Sequence, residues 1–281
     1  FFILLGAAIA KSLLQFKHCK KRILFGCDTR ESSYKIINLI SLGLNSEECS
    51  ISNAGIISTP AIAFYTKKNK YDLGIVVSAS HNLYKDNGIK IFDKDGYKIT
   101  FEDENHIENY IEKLVNENYQ CKKSNYNLID VSEDIQKEYT EFCLKNINLN
   151  KSANNNIKLT LDLANGANFK VGKDIFNKAG FLVNCYNDKP NGKNINDRCG
   201  STYLKNLPEQ IKKDCSEYGI SMDGDGDRVV IVDRNSNILD GDDILYTIVR
   251  GKIINHETVP GVVGTTMTNY ALEIYLKNEG I

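Results

Sequence analysis

The chain has 281 residues, of which 42% are hydrophobic and 25% charged, and 35 Lys and Arg against 36 Asp and Glu leave a formal net charge of -1. That describes an ordinary globular protein long enough for about two domains, each with its own core. Balanced charge gives no electrostatic reason to expect a nucleic-acid or membrane partner, and the short basic cluster Lys17, Lys20, Lys21 and Arg22 reads as a solvated helix end.

Eight cysteines are scattered without a CxxC pair, and four histidines, His18, His81, His106 and His256, are dispersed. Both patterns speak against a zinc site or a disulfide framework and for reduced thiols in the cytoplasm. The apolar start, Phe1 to Ala10, is too short to span a bilayer and lacks a basic region ahead of it. Phe2, Leu5, Ile9, Leu13 and Phe16 fall at helical spacing, which predicts a core-facing amphipathic helix. No initiating Met is present, and the start is expected to have been lost.

From Arg22 a short strand to Gly26 leads into the polar loop Asp28-Thr29-Arg30 and a helix over about Ser32 to Leu44. The same order returns at Ile157: strand to Leu163, loop Ala164-Asn165-Gly166, helix to Ala179. It begins a third time at Gly261, with a strand, the loop Gly264-Thr265-Thr266 and a helix from about Thr268. Three such openings imply tandem repeated α/β domains. The second halves correspond too. Strand Asp72 to Val77, loop Ser78 to Asn82, strand Gly88 to Phe92, turn Asp93 to Gly96 and segment Tyr97 to Thr100 parallel Tyr218 to Met222, the run Asp223 to Asp227, Arg228 to Val232, Asp233 to Asn237 and Ile238. Between them, Glu102 to Asn150 reads as charged helix with Ile107, Ile111 and Leu114 on one face. The polar linker Lys151 to Asn156 sets a first boundary, and Gly251 to Pro260 a second. The expected domains are 1–150, 151–252 and a truncated third over 253–281.

Chemistry concentrates at Asp223, Gly224, Asp225, Gly226, Asp227 and Arg228. In extended backbone the three carboxylates share one side, and the glycines let the chain bend until their oxygens converge. Three like charges brought that close need a cation, and oxygen ligands suit Mg²⁺ or Ca²⁺. Asp-Gly pairs also form ordinary turns. An EF-hand loop counted from Asp223 would need Gly and Glu where Arg228 and Arg234 stand, so that reading fails. Arg228 suits a phosphoryl oxygen, which favours Mg²⁺ beside a phosphate. Ser80, just after a buried strand, is the hydroxyl such a site would share, and no Gly-x-Ser-x-Gly elbow supports a hydrolase.

Ser78-Ala79-Ser80-His81-Asn82 with Asp86-Asn87-Gly88-Ile89-Lys90, joined to the run Asp223 to Arg228, resembles the phosphohexomutase family. Asp162 to Gly166, Pro190 to Asn196 and Cys199 to Thr202 resemble its glucosamine-phosphate branch more than its phosphomannose branch. The resemblance implies tandem α/β/α domains with mixed sheets, truncated in the third domain, and a mutase serving amino-sugar and peptidoglycan precursor synthesis. It implies that Ser80 carries a phosphoryl group between the ends of a hexosamine phosphate through a bisphosphate. Asp223, Asp225, Asp227 and a phosphate oxygen on Ser80 would hold one Mg²⁺. Lys90 would be the acid/base, needing a depressed pKa to act as base, His81 and Asn82 would shape the loop, and Arg228 and Arg30 would contact phosphate. Three positions depart from the family's pattern: Leu83 for Pro, Ser33 for Gly, and Tyr203 for Asp. The family's first arginine segment, its sugar-selecting loop and its fourth domain are not in this sequence. The readings to set beside this one are a phosphomannomutase or phosphoglucomutase, or a non-catalytic remnant that binds Mg²⁺ or sugar phosphate. No signal fixes the oligomeric state.

Overall fold

A computed structural model describes residues 1–13, 21–45, 49–121, 126–147 and 156–281. The first unit opens with α1 (Phe2–Leu13), β1 (Arg22–Cys27), α2 (Ser33–Asn45), β2 (Ser50–Ile56) and α3 (Thr59–Lys68). It continues through β3 (Leu73–Val77), β4 (Ile89–Asp93), α4 (Phe101–Asn116), β5 (Leu128–Asp130) and α5 (Ser132–Lys145). Its strands lie in the order β4-β3-β1-β2-β5, parallel except for the antiparallel β3–β4 pair.

Central β1 is apolar almost without alternation because helices cover both its faces. Ile23, Phe25 and Cys27 face a core with α1, α2 and α4, while Leu24 between them faces the core of α3 and α5. Helix α1 is not the one-faced helix its spacing predicts. Ala7, Ala8, Ile9 and Ala10 are all fully buried. Small residues permit this: a Cβ on Gly6 would stand 2.1 Å from the Ile40 carbonyl oxygen, and one on Gly43 2.0 Å from that of Ile3. The backbones of α1 and α2 are in direct contact there. Phe16 lies outside the described residues, as do 151–155 of the expected linker.

The second unit holds β6 (Lys158–Asp162), α6 (Val171–Lys178), β7 (Leu182–Tyr186), α7 (Leu207–Asp214), β8 (Tyr218–Met222), β9 (Val229–Asp233) and β10 (Ile238–Leu239). The order β10-β9-β8-β6-β7 repeats the first sheet, with β6, β7, β8 and β9 in the places of β1, β2, β3 and β4. This is the repeat expected from the sequence. Its first copy is less complete, because the segment after the Asp93 turn makes only the single bridge Phe92–Lys98. Val171 on α6 joins the core of α3 and α5, so apolar packing ties the units together.

Two expectations are corrected. The charged stretch after Glu102 is not one helical region: it holds two helices, α4 and α5, with β5 between them, and β5 pairs with β2. The strand predicted from Gly261 does not form, and Val263 there is 94% exposed. A strand needs a ladder partner to satisfy its N–H and C=O groups, and none reaches this segment among the described residues. Helices α8 (Gly241–Ile254) and α9 (Tyr270–Asn278) follow the second sheet, each opened by a side-chain cap, from Asp240 and Asn269. In the described residues no helix is long and apolar enough to cross a membrane.

The α1–α2 contact yields a direct test. Gly43→Val forces side-chain atoms into the Ile3 carbonyl, so thermal and urea unfolding should show a loss of about 1–3 kcal/mol, the usual cost of overpacking. An unchanged midpoint would show that the two helices do not pack at this distance.

Candidate functional site

Strands β3 and β8, each parallel to the central strand of its own sheet, end in loops that meet. Ser80 Oγ donates to Asp223 Oδ2 at 2.6 Å, across 143 residues of sequence. Lys90 on β4 extends Nζ to Asp225 Oδ2 at 2.6 Å and Asp227 Oδ2 at 2.8 Å. Thr59, in the first turn of α3, donates its backbone N–H to the Asp225 carbonyl at 2.9 Å and its hydroxyl to Asp225 Oδ2. The Asp225 charge therefore sits at a helix N-terminus, where backbone dipoles favour it.

Each carboxylate has its own surroundings. Asp223 Oδ1 accepts the backbone N–H groups of Asp227 and Arg228, both at 3.1 Å, which curls the run around it. Burial pushes the Asp223 carboxyl up to about 6, the Ser80 hydrogen bond opposes this, and the Asp225 and Asp227 charges add to it. Asp225 moves the other way: burial works to raise it, but hydrogen bonds from Lys90 and Thr59 outweigh that and hold it below the usual range. Lys90 is raised. Its burial favours the neutral amine, yet the Asp225 and Asp227 contacts prevail. This overturns the expectation of a depressed Lys90, because the structure pairs the ammonium directly with two carboxylates.

The three carboxylates fit a divalent cation. One oxygen from each of Asp223, Asp225 and Asp227 lies within 4.8 Å of the others. Asp225 Oδ1 is buried with no hydrogen-bond partner among the described residues, a costly state for a charged oxygen unless it ligates. Backbone crowding shapes the run. A Cβ on Gly224 would stand 2.6 Å from the Ser80 carbonyl oxygen, and one on Gly166 2.4 Å from that of Gly224. Gly226 takes φ +71°, the left-handed region that glycine enters freely.

Ser80 itself has φ +51°, an uncommon conformation for a residue with a Cβ. Arg30 holds it there. Arg30 Nε donates to Asp28 Oδ2 at 2.8 Å, and both side chains are completely buried. Its Nη1 donates to the carbonyls of Leu83 and Asp86, and Nη2 to those of Ser80 and Asn82. All five guanidinium N–H groups are thereby engaged. The expectation that Arg30 contacts phosphate is corrected on that ground: no donor is left, and its work is to shape the loop. Asp28 also accepts the hydroxyls of Ser78 and Ser33. The Ser33 departure from the family's glycine thus finds a buried partner. Leu83, where the family has proline, is 55% exposed, and its carbonyl is among those Arg30 grips.

The remaining candidates lie around this centre. Arg228 is exposed and lines a cavity of about 230 Å³ with Asp227, Asn168 and Tyr139. Asn82 is exposed, with its carbonyl facing inward. His81 buries Nδ1 without a hydrogen-bond partner among the described residues. Tyr203 is half-buried, its N–H bonded to the Gly200 carbonyl. Sequence reasoning passed over Thr59 and Asp28 as a partner of Arg30, and it met Asn196 only as the end of the Pro190 to Asn196 motif, with no role. Thr59 carried a signal of its own, the helix-start pattern Ser58-Thr59-Pro60.

Arg30→Met should leave Asp28 buried and unpaired and cost about 3–5 kcal/mol in denaturant unfolding. A loss under about 1 kcal/mol, the range of a surface pair, would show that the ion pair is not buried in solution.

Residues 1–118 match the phosphoglucomutase/phosphomannomutase alpha/beta/alpha domain I, and residues 137–237 match domain II. Over its whole length the chain is 38% identical to a phosphoglucosamine mutase of Buchnera aphidicola subsp. Baizongia pistaciae and 36% identical to one of Neisseria meningitidis serogroup A. It spans 61% and 63% of those two proteins. A phosphoglucomutase/phosphomannomutase family protein of Burkholderia thailandensis shares the fold at a TM-score of 0.74 and 21% identity, over 91% of this chain and 55% of that one. With two domains of one family matched in order and this identity sustained from end to end, the chain belongs to the phosphoglucomutase/phosphomannomutase family, the phosphohexomutases.

Proposed function

We propose that this chain is the phosphoryl-carrying and metal-binding portion of a phosphoglucosamine mutase, a cytoplasmic isomerase interconverting glucosamine 6-phosphate and glucosamine 1-phosphate. The observation that carries the reading is the 2.6 Å approach of the Ser80 hydroxyl to Asp223 in an all-oxygen cation site contributed by the other unit. Identity of 36–38% to phosphoglucosamine mutases supports the amino-sugar substrate over its 2-hydroxy analogues.

Ser80 carries the phosphoryl group. In the first transfer the 1-hydroxyl oxygen of glucosamine 6-phosphate bonds to phosphorus as the P–Oγ bond of phospho-Ser80 breaks. Lys90, held as an ammonium by Asp225 and Asp227, gives a proton to the departing Oγ. The bisphosphate then turns end for end. Ser80 Oγ returns its proton to Lys90 and attacks the phosphorus at position 6, and the P–O6 bond breaks. The 1-hydroxyl releases its proton to solvent and O6 takes one from solvent as its bond to phosphorus breaks, so protons balance over the cycle and the enzyme ends phosphorylated as it began. Arg228 offers its exposed guanidinium to phosphoryl oxygens, and His81 and Asn82 complete the loop around Ser80.

Asp223, Asp225 and Asp227, with a phosphate oxygen on Ser80, would hold Mg²⁺, whose positive charge would offset the negative charge of the transferring phosphoryl group. The Lys90 ammonium brings further positive charge to the same carboxylates. Phosphoryl transfer asks the protein mainly for position and charge neutralisation, and these residues supply both.

In the full-length protein Ser80→Ala should lower turnover by about 1,000-fold or more, since no other group would then carry the phosphoryl. Full retained turnover would sink the assignment. Competing glucosamine 6-phosphate with glucose and mannose 6-phosphates in one assay should favour the amino sugar in kcat/KM, and a preference for either hexose would move the chain to another branch. For the cation, Asp225→Asn should weaken Mg²⁺ by about 10-fold or more in calorimetric titration. Equal affinity for both proteins would place the ion elsewhere.

A further inference from the structure

The carbonyl oxygens of Ser80 and Asn82 each accept two hydrogen bonds, and the donors come from opposite units. Arg30 Nη2, of the first unit, reaches them at 3.3 and 2.8 Å. Asn196 Nδ2, of the second unit, reaches the same two at 2.8 and 2.9 Å. Two nitrogens and two oxygens form a closed square, and the Ser80 turn spans one side of it. Asn196 is fixed in turn. It is buried, has φ +57°, a region asparagine tolerates, and donates its backbone N–H to the Ala164 carbonyl at 2.9 Å. Its amide lies against the Asp-Gly run as well, since a Cβ on Gly224 would stand 2.6 Å from Nδ2.

Arg30 and Asn196 do different things. Arg30 shapes the loop within its own unit but sets no distance to the carboxylates of the other. Asn196 belongs to the carboxylates' unit, so its two bonds fix the loop relative to Asp223. We propose that Asn196 is a positioning residue that registers Ser80 Oγ against the cation site by gripping the Ser80 and Asn82 carbonyls across the boundary between units. The inference rests on Ser80 being the phosphoryl carrier. It requires a neutral amide with two hydrogens. An aspartate of the same shape turns oxygens toward carbonyl oxygens, and an alanine leaves each carbonyl with Arg30 alone.

The test measures kcat, KM and thermal midpoint for full-length wild type, Asn196→Asp and Asn196→Ala, with Ser80→Ala in parallel. Displacing the carrier by about 1 Å should cut kcat about 100-fold in both Asn196 variants. KM for glucosamine 6-phosphate should stay within about twofold, since the substrate's own contacts are untouched. A wild-type kcat in either variant overturns the proposal, and so does a loss residing in KM. If Asn196→Ala does not fold, the near-isosteric Asn196→Asp decides. Failure of both to fold overturns it too, by making the residue part of the fold instead of the register. Turnover retained by Ser80→Ala would overturn the underlying reading, an outcome separate from all of these.

Discussion

Three carboxylates within 4.8 Å of one another are the constraint on which the rest of this structure turns. Their mutual repulsion has to be met by positive charge and by hydrogen-bond donors, and the chain draws these from both units. Lys90 and Thr59 come from the first unit, the N–H groups of Asp227 and Arg228 from the second. The result is not uniform. Asp223 is driven up and Asp225 down, so neighbouring groups of the same type are set in different states by their surroundings.

Close approach of the two loops depends on backbone without side chains. Gly166, Gly224 and Gly226 stand where a Cβ would strike a carbonyl or an amide at 2.2–2.6 Å. Opposite them, Ser80 carries a left-handed φ that its own side chain disfavours. Strain of that kind persists only when its surroundings over-determine it, and here the Asp28–Arg30 pair supplies the hold. A fully buried ion pair is a weak device for stability alone, because desolvation offsets most of its attraction. Its value here is geometric, since one planar guanidinium organises four carbonyls of the Ser80 loop.

Two of the three departures from the family's motif find their place in the same network. Ser33 adds a hydroxyl where a glycine would have none, and Asp28 accepts it. Leu83 removes a φ restraint from a loop whose carbonyls Arg30 already holds. Both substitutions fall on residues bonded to this buried pair, which is consistent with a loop whose shape is set by its hydrogen bonds and not by one side chain's stiffness.

Sequence by itself determined the repeat and the chemistry of the two loops, because both are local. The apolar runs of β1, β3, β6 and β8 and the turn residues after them follow from neighbouring residues, as does the convergence of Asp223, Asp225 and Asp227. It could not determine which residues stand across from those loops. Thr59, Asn196 and the inward turn of Arg30 come from distant segments, and only the packing of one sheet's loop ends against the other's brings them there. The same holds for the misread elements. Short β5 becomes sheet because β2 is already beside it, and the run after Gly261 stays irregular because, among the described residues, no strand lies beside it. Hydrogen-bond partners far along the chain are a property of the folded whole, and tertiary structure alone decides them.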